Sequence, residues 1–125
     1  MAAILLVDDD AQTRGIVQRM LESAYHTVLH ARDGGEALRL LAASSIDLVI
    51  TDILMPDKDG LEVIGELRRR NPEIKVLAYS GGFSRPDFDV LMTAKALGAH
   101  ATLPKPFSMS EILSAVHHVL ALKPS

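Results

Sequence analysis

The sequence predicts an α/β domain whose core is a doubly wound, five-stranded parallel sheet with strand order 2-1-3-4-5. Three observations lead there. Short apolar runs alternate with stretches of helical period, and the alternation continues along the whole chain. The chain has 125 residues, enough for one sheet with packed helices and one core, so residues 1–125 are expected to be a single domain. The runs also differ in polarity, which separates central strands from edge strands.

The strand candidates are Ala3–Val7, Thr27–Ala31, Leu48–Thr51, Lys75–Tyr79 and Ala99–Leu103. The first, third and fourth are almost continuously apolar, as strands covered on both faces must be. The second is flanked and interrupted by His26 and His30. The fifth carries His100 and Thr102 and runs into Pro104, which an edge tolerates. Placing the second and fifth strands at the edges selects the order 2-1-3-4-5, with right-handed crossovers.

The helices follow in the same order. The first shows apolar positions at Ile16, Val17, Met20, Leu21 and Ala24; the second shows Ala37, Leu38 and Leu41 after Asp33, a natural N-cap. The third carries Leu61, Val63, Ile64 and Leu67 and stops at Asn71-Pro72. The fourth carries Val90, Leu91, Ala94 and Leu97 and ends at Gly98, a fitting C-cap. The last carries Ile112, Leu113, Val116, Val119 and Leu120 behind a Ser108/Glu111 capping box.

Composition removes several function classes. Hydrophobic residues make up 48% and aromatics 4%, so the core is aliphatic. A net charge of -3 offers no basic patch for nucleic acid. Without cysteine there is no disulfide, thiolate nucleophile or cysteine metal site. The opening run Ala3–Val7 is too short to span a bilayer and has no basic leader, so no membrane partner and a cytoplasmic location are expected. The histidines have no acidic or cysteine partner at ligand spacing and are not expected to form a metal site.

In a sheet of this order, ligands bind beyond the carboxyl ends of the strands, where strand order reverses between the first and third. The first strand ends in Asp8-Asp9-Asp10 and the third in Asp52. Carboxylates crowded there repel one another by roughly 1–4 kcal/mol per pair at about 4 Å. A hard divalent cation would offset that, and oxygen donors are what Mg2+ takes. The plainer alternative is that Asp8–Asp10 merely cap the first helix. Against it stand Ser80 at the end of the fourth strand and Lys105 after the fifth, within Leu103-Pro104-Lys105-Pro106-Phe107. Attacking carboxylate, cation site, hydroxyl and ammonium together form the inventory of phosphoryl transfer. The flanking prolines fix the backbone that presents Lys105, and Lys105-Pro106 is a candidate cis bond.

These motifs taken together resemble the receiver domains of two-component response regulators: Leu5-Leu6-Val7-Asp8-Asp9-Asp10, Asp52-Ile53-Leu54-Met55-Pro56-Asp57-Lys58-Asp59-Gly60, Ser80-Gly81, Gly98-Ala99 and Lys105-Pro106-Phe107. The resemblance covers nearly the whole chain and implies a flavodoxin-like receiver fold. It implies that Asp52 is the phosphoacceptor, that Asp9 binds Mg2+ directly and Asp8 mostly through water, and that the Leu54 carbonyl is a further ligand. Lys105 would contact the phosphoryl group, Ser80 would be the switch hydroxyl, and Arg14 fills a recurrent basic position in the first helix. Asp10 is expected to act as a helix cap, Asp57 and Asp59 as loop and N-cap residues, and Gly60 to suit the tight turn into the third helix. A histidine kinase or histidine phosphotransfer protein is the implied donor, with an unknown downstream protein as target. The protein would be a signalling switch rather than a metabolic enzyme, a monomer or weak homodimer, and either a stand-alone receiver, which Met1 favours, or an excised piece of a larger regulator or hybrid kinase.

Two features depart from the family. An aromatic usually stands three residues before the lysine, and here that place holds Thr102. The segment Gly81–Phe88 is longer than the usual connection, and Phe83 or Phe88 is a candidate for part of the missing aromatic's role. Rival readings are a receiver fold that only binds partners, and an aspartate-based phosphatase; the latter needs an acid where Leu54 stands.

Overall fold

The computed structural model describes residues 1–55, 60–81 and 87–122. Its elements run β1 (Ala3–Val7), α1 (Ala11–Glu22), β2 (Thr27–Ala31), α2 (Gly34–Ala43), β3 (Leu48–Asp52), α3 (Gly60–Arg70), β4 (Lys75–Gly81), α4 (Asp87–Leu97), β5 (Ala101–Lys105) and α5 (Met109–Ala121). The strands form one five-stranded sheet in the order β2-β1-β3-β4-β5, and every pairing is parallel. The expected edges are therefore the edges. Every residue of β3 is buried, whereas β2 begins exposed and Pro104 in β5 faces solvent.

Alternation along each strand splits the core into two layers. Val49, Val76 and Ala78 look toward Val63, Ile64 and Ala94 of α3 and α4. Ile50, Leu77 and Tyr79 look the other way, toward Val17 and Leu21 of α1 and Val116 of α5. Asp52 lies two residues after Ile50 and is opposite Tyr79 in register, so the site belongs to the α1/α5 side of the sheet.

The caps predicted from sequence form as drawn. Asp10 and Asp33 accept from the backbone N–H of Thr13 and Glu36, and Ser108 and Glu111 close a reciprocal capping box. At the end of α4, Gly98 takes φ +123°, its N–H donates to the Lys95 carbonyl, and the Ala99 N–H donates to that of Ala94. This closure uses residues 98 and 99, and so β5 starts at Ala101 rather than at Ala99. Two apolar positions assigned to buried faces sit at their margins instead: Ile16 is 41% exposed, as is Leu97. Ala24 follows the end of α1 and lies in the turn that leads to Tyr25, whose φ is 67°.

The amino ends of the outer strands share a device. His26 Nδ1 accepts the Ala2 N–H at 3.1 Å, and His100 Nδ1 accepts the Val76 N–H at 3.1 Å. Both imidazoles must be neutral at Nδ1 to do so. Desolvation holds both pKa values below the ordinary 6.5, helped at His100 by Arg68, Lys75 and Lys95. A base whose folded pKa is depressed adds stability above the unfolded pKa, and that stability is lost as pH falls through 6.5 toward the folded value. Imidazole NMR is expected to show both side chains as Nε2–H tautomers at pH 7.5, titrating below 6.5. A titration at or above 6.5 for either histidine would contradict the bonding described.

Candidate functional site

The loop after β1 is held from several sides. The Asp8 N–H donates to the Ala31 carbonyl at 3.1 Å, which continues the sheet by one residue. Arg14, one turn into α1, sends Nη1 back to the Asp8 carbonyl at 2.7 Å. Asp10 folds over the helix end, accepting from the Thr13 N–H and, at 2.5 Å, from its hydroxyl. Those bonds hold the Asp10 carboxyl below the usual carboxylate range. Asp10 is thus committed to capping.

Asp8, Asp9 and Asp52 converge: each offers a carboxylate oxygen, and these oxygens lie within 4.8 Å of one another. It is the one group of metal-competent residues found among the described residues. Asp8 is fully buried and Asp52 is 6% exposed, while Asp9 is open to solvent. Burial pushes the Asp52 carboxyl up to about 6; Lys105 opposes the rise, and Asp8 and Asp9 add to it. Lys105 Nζ stands 3.8 Å from Asp52 Oδ2. The Leu54 N–H donates to Asp52 Oδ1 at 3.3 Å, fixing the carboxylate's second oxygen.

The donor set is made of oxygens alone, carries excess negative charge and leaves one side open. That suits a small hard cation of the Mg2+ type better than a soft metal. Ser80 closes the inventory at the end of β4. It is fully buried, and its Oγ has no hydrogen-bond partner among the described residues. A buried hydroxyl without a partner costs free energy, and such a group calls for a water, an ion or a role in the chemistry of the site.

Placement, then, brings Asp8, Asp9, Asp52, Ser80 and Lys105 to one rim of the sheet, with Leu54 half exposed just beyond Asp52. The Lys105-Pro106 bond is cis. Gly60 is where backbone meets backbone: a Cβ there would lie 2.3 Å from the Asp52 carbonyl oxygen and 2.5 Å from Ile53 Cα. Thr102 is half-buried opposite Ala78 in the β4–β5 register, on the α3/α4 side. The roles expected of Asp57, Asp59 and Phe83 lie outside the described residues, as does any side-chain role for Phe88.

Sequence reading passed over one site residue. Tyr79, the residue before Ser80, is fully buried, and its hydroxyl donates to Asp8 Oδ2 at 2.5 Å. Its ring meets Phe107 edge-on, with centroids 5.3 Å apart, and lies 5.0 Å from Lys105 Nζ. Burial, with the Asp8 charge beside it, raises its pKa far above that of a free phenol, so the hydroxyl keeps its proton. The available clue was a phenol at the end of an otherwise aliphatic strand, at a position whose alternation matches that of Asp52.

Comparison with known proteins agrees with this geometry. A family model described as the response regulator receiver domain matches residues 4–117. The DNA-binding transcriptional regulator NtrC of Rhizobium meliloti (strain 1021) is 32% identical over 120 residues, covering 96% of this chain and 24% of that protein. Response regulator MprA of Mycolicibacterium vanbaalenii is 36% identical over 117 residues, covering 94% of this chain and 49% of that protein. The chain thus spans from a quarter to half the length of these relatives. Among solved structures, a response regulator receiver domain protein from Clostridium thermocellum superposes with TM-score 0.87 at 30% identity, covering 96% of this chain and 94% of that one. The receiver domain of NtrX from Brucella abortus gives TM-score 0.90 at 27% identity, covering 96% and 99%. With its sheet order, its acidic rim and a family match across nearly its full length, the chain belongs to the response regulator receiver domain family.

Proposed function

We propose that this receiver accepts a phosphoryl group on Asp52 from the phosphohistidine of a histidine kinase or histidine phosphotransfer protein, in an Mg2+-dependent reaction. The observation that carries this reading is the convergence of three carboxylates within 4.8 Å, with an ammonium 3.8 Å from Asp52. Asp52 Oδ attacks phosphorus, the P–N bond to the donor histidine breaks, and an acyl phosphate forms on Asp52. Lys105 meets a phosphoryl oxygen with its ammonium, and the Ser80 hydroxyl turns toward another, gaining a partner that it lacks among the described residues. The Leu54 N–H and Lys105 hold the carboxylate before attack, so little reorganisation is needed. Asp9, Asp52 and the Leu54 carbonyl would hold Mg2+, with Asp8 reached mostly through water; the cation supplies neutralisation of charge on the transferred group's oxygens.

The new dianionic charge on Asp52 shifts an equilibrium between two conformations, and the changed surface selects a downstream protein. On this reading the chain is a signalling switch that catalyses only its own phosphorylation and slow dephosphorylation. No nucleic-acid or membrane partner is proposed for these residues, and no helix among those described is long and apolar enough to cross a membrane. A cytoplasmic monomer or weak homodimer is the accompanying proposal.

Incubation with acetyl phosphate and Mg2+ tests the reading. Wild-type protein is expected to gain one acid-stable, base-labile phosphoryl group, and Asp52→Ala none. An unmodified wild type would favour a binding-only scaffold, and equal labelling of Asp52→Ala would place the acceptor elsewhere.

A further inference from the structure

Tyr79 has no part in the chemistry just described, yet it touches two of the groups that do. Asp8 Oδ1 accepts the Asp10 N–H at 2.9 Å, and Oδ2 accepts the Tyr79 hydroxyl at 2.5 Å. One donor comes from the loop after β1 and the other from β4, so the carboxylate plane is gripped from two elements. The Tyr79 ring, braced by Phe107, also forms the surface beneath the Lys105 ammonium. An aliphatic side chain would fill this place in the core without burying a polar atom, and burial of a phenol is tolerated only when its hydroxyl is bonded. The bond it makes is to the acidic pocket.

We propose that Tyr79 is a positioning residue: its hydroxyl sets the orientation of Asp8 toward the cation, and its ring supports Lys105. The inference rests on the phosphoryl-transfer reading of the site. It ties the acid of the cation site to the phosphoryl-binding lysine through one rigid side chain. Groups that orient a metal-binding carboxylate from behind typically change metal affinity by about 10–100-fold when removed.

The test uses Mg2+ itself as probe, with calorimetric titration of the whole chain, thermal melts for folding and acetyl phosphate labelling at saturating Mg2+. Tyr79→Phe keeps the ring and removes the hydroxyl. It is expected to weaken Mg2+ affinity about tenfold and to leave labelling at saturating Mg2+ close to wild type. Tyr79→Leu removes both, and is expected to weaken Mg2+ equally and to slow labelling as well, because Lys105 loses its platform. In an Asp8→Asn background, Tyr79→Phe is expected to cost little further Mg2+ affinity, since the two act through one contact. Unchanged Mg2+ affinity in Tyr79→Phe would overturn the proposal, as would full additivity with Asp8→Asn. Should Tyr79→Phe fold poorly, the same comparison is made with Tyr79→Leu, whose core packing needs no polar partner. A wild type that binds no Mg2+ would instead overturn the functional reading.

Discussion

In divalent-free buffer at pH 7.5, Asp52→Asn is expected to melt at a higher temperature than the wild type. The carboxyl of Asp52 is nearly isosteric with the amide, and the Leu54 N–H can still donate to the remaining oxygen. What disappears is a charge that burial and two neighbouring acids make unfavourable, raising its pKa from the ordinary 3.8 to about 6. A shift of this size corresponds to about 3 kcal/mol at most, and to about 1–2 kcal/mol once solvent screening is allowed for. The sign follows from linkage. A folded-state carboxyl that holds its proton more tightly than the unfolded chain is penalised above its folded pKa, and the penalty fades as pH falls through 6 toward 3.8. The two proteins should therefore converge in stability near pH 4. Adding Mg2+ should narrow the gap at pH 7.5, because only the wild type keeps the full donor set and gains by mass action. A melting point for Asp52→Asn at or below that of wild type at pH 7.5 would mean that Lys105 already offsets the charge.

Gly60→Ala is expected to act in the opposite direction and more strongly. The added methyl would meet the Asp52 carbonyl oxygen, Ile53 Cα and the Asp52 carbonyl carbon at 2.3, 2.5 and 3.0 Å. All three are backbone atoms, so no side chain can swing aside. The Gly60 N–H also donates to the Ile53 carbonyl at 2.8 Å, which ties the start of α3 to the end of β3. Relief requires the helix start to move away from the strand that carries Asp52. A loss of about 3 kcal/mol is expected, at the upper end for overpacking, or roughly 10 °C in Tm for a domain of this size. The displaced strand end should also slow acetyl phosphate labelling of whatever fraction stays folded. Differential scanning calorimetry with parallel labelling checks both parts; an unchanged melting point would show that the β3–α3 connection yields more readily than its packing implies.

Much of this architecture is legible in the residues. β1 and β2 lie where the apolar runs put them. The caps at Asp33 and Ser108 follow from side-chain hydrogen bonding, and the one at Gly98 from a residue that tolerates positive φ. The start of β5 does not, since Ala99 and His100 could continue a strand by composition. The hydrogen bonds that finish α4 decide the matter, and they depend on the left-handed backbone at Gly98. At the site, the acids, Ser80 and Lys105 could be nominated one by one because each closes a strand. Ile16 shows the limit of periodicity: it shares the apolar stripe of α1 but sits where the sheet no longer covers it. Tyr79 was hidden for a different reason. A buried tyrosine in a strand reads as core, and only the three-dimensional path of β1 reveals the carboxylate at the tip of its ring.

That placement of Tyr79 has an optical consequence. The chain contains no tryptophan and two tyrosines. Tyr25 is 77% exposed, while Tyr79 is sealed in the core with its hydroxyl on the acidic pocket. The tyrosine band of the near-ultraviolet dichroism is therefore expected to come chiefly from Tyr79, and dissolved iodide should quench the emission of Tyr25 in preference. Occupancy of the carboxylates can be followed through that one chromophore, with no label attached.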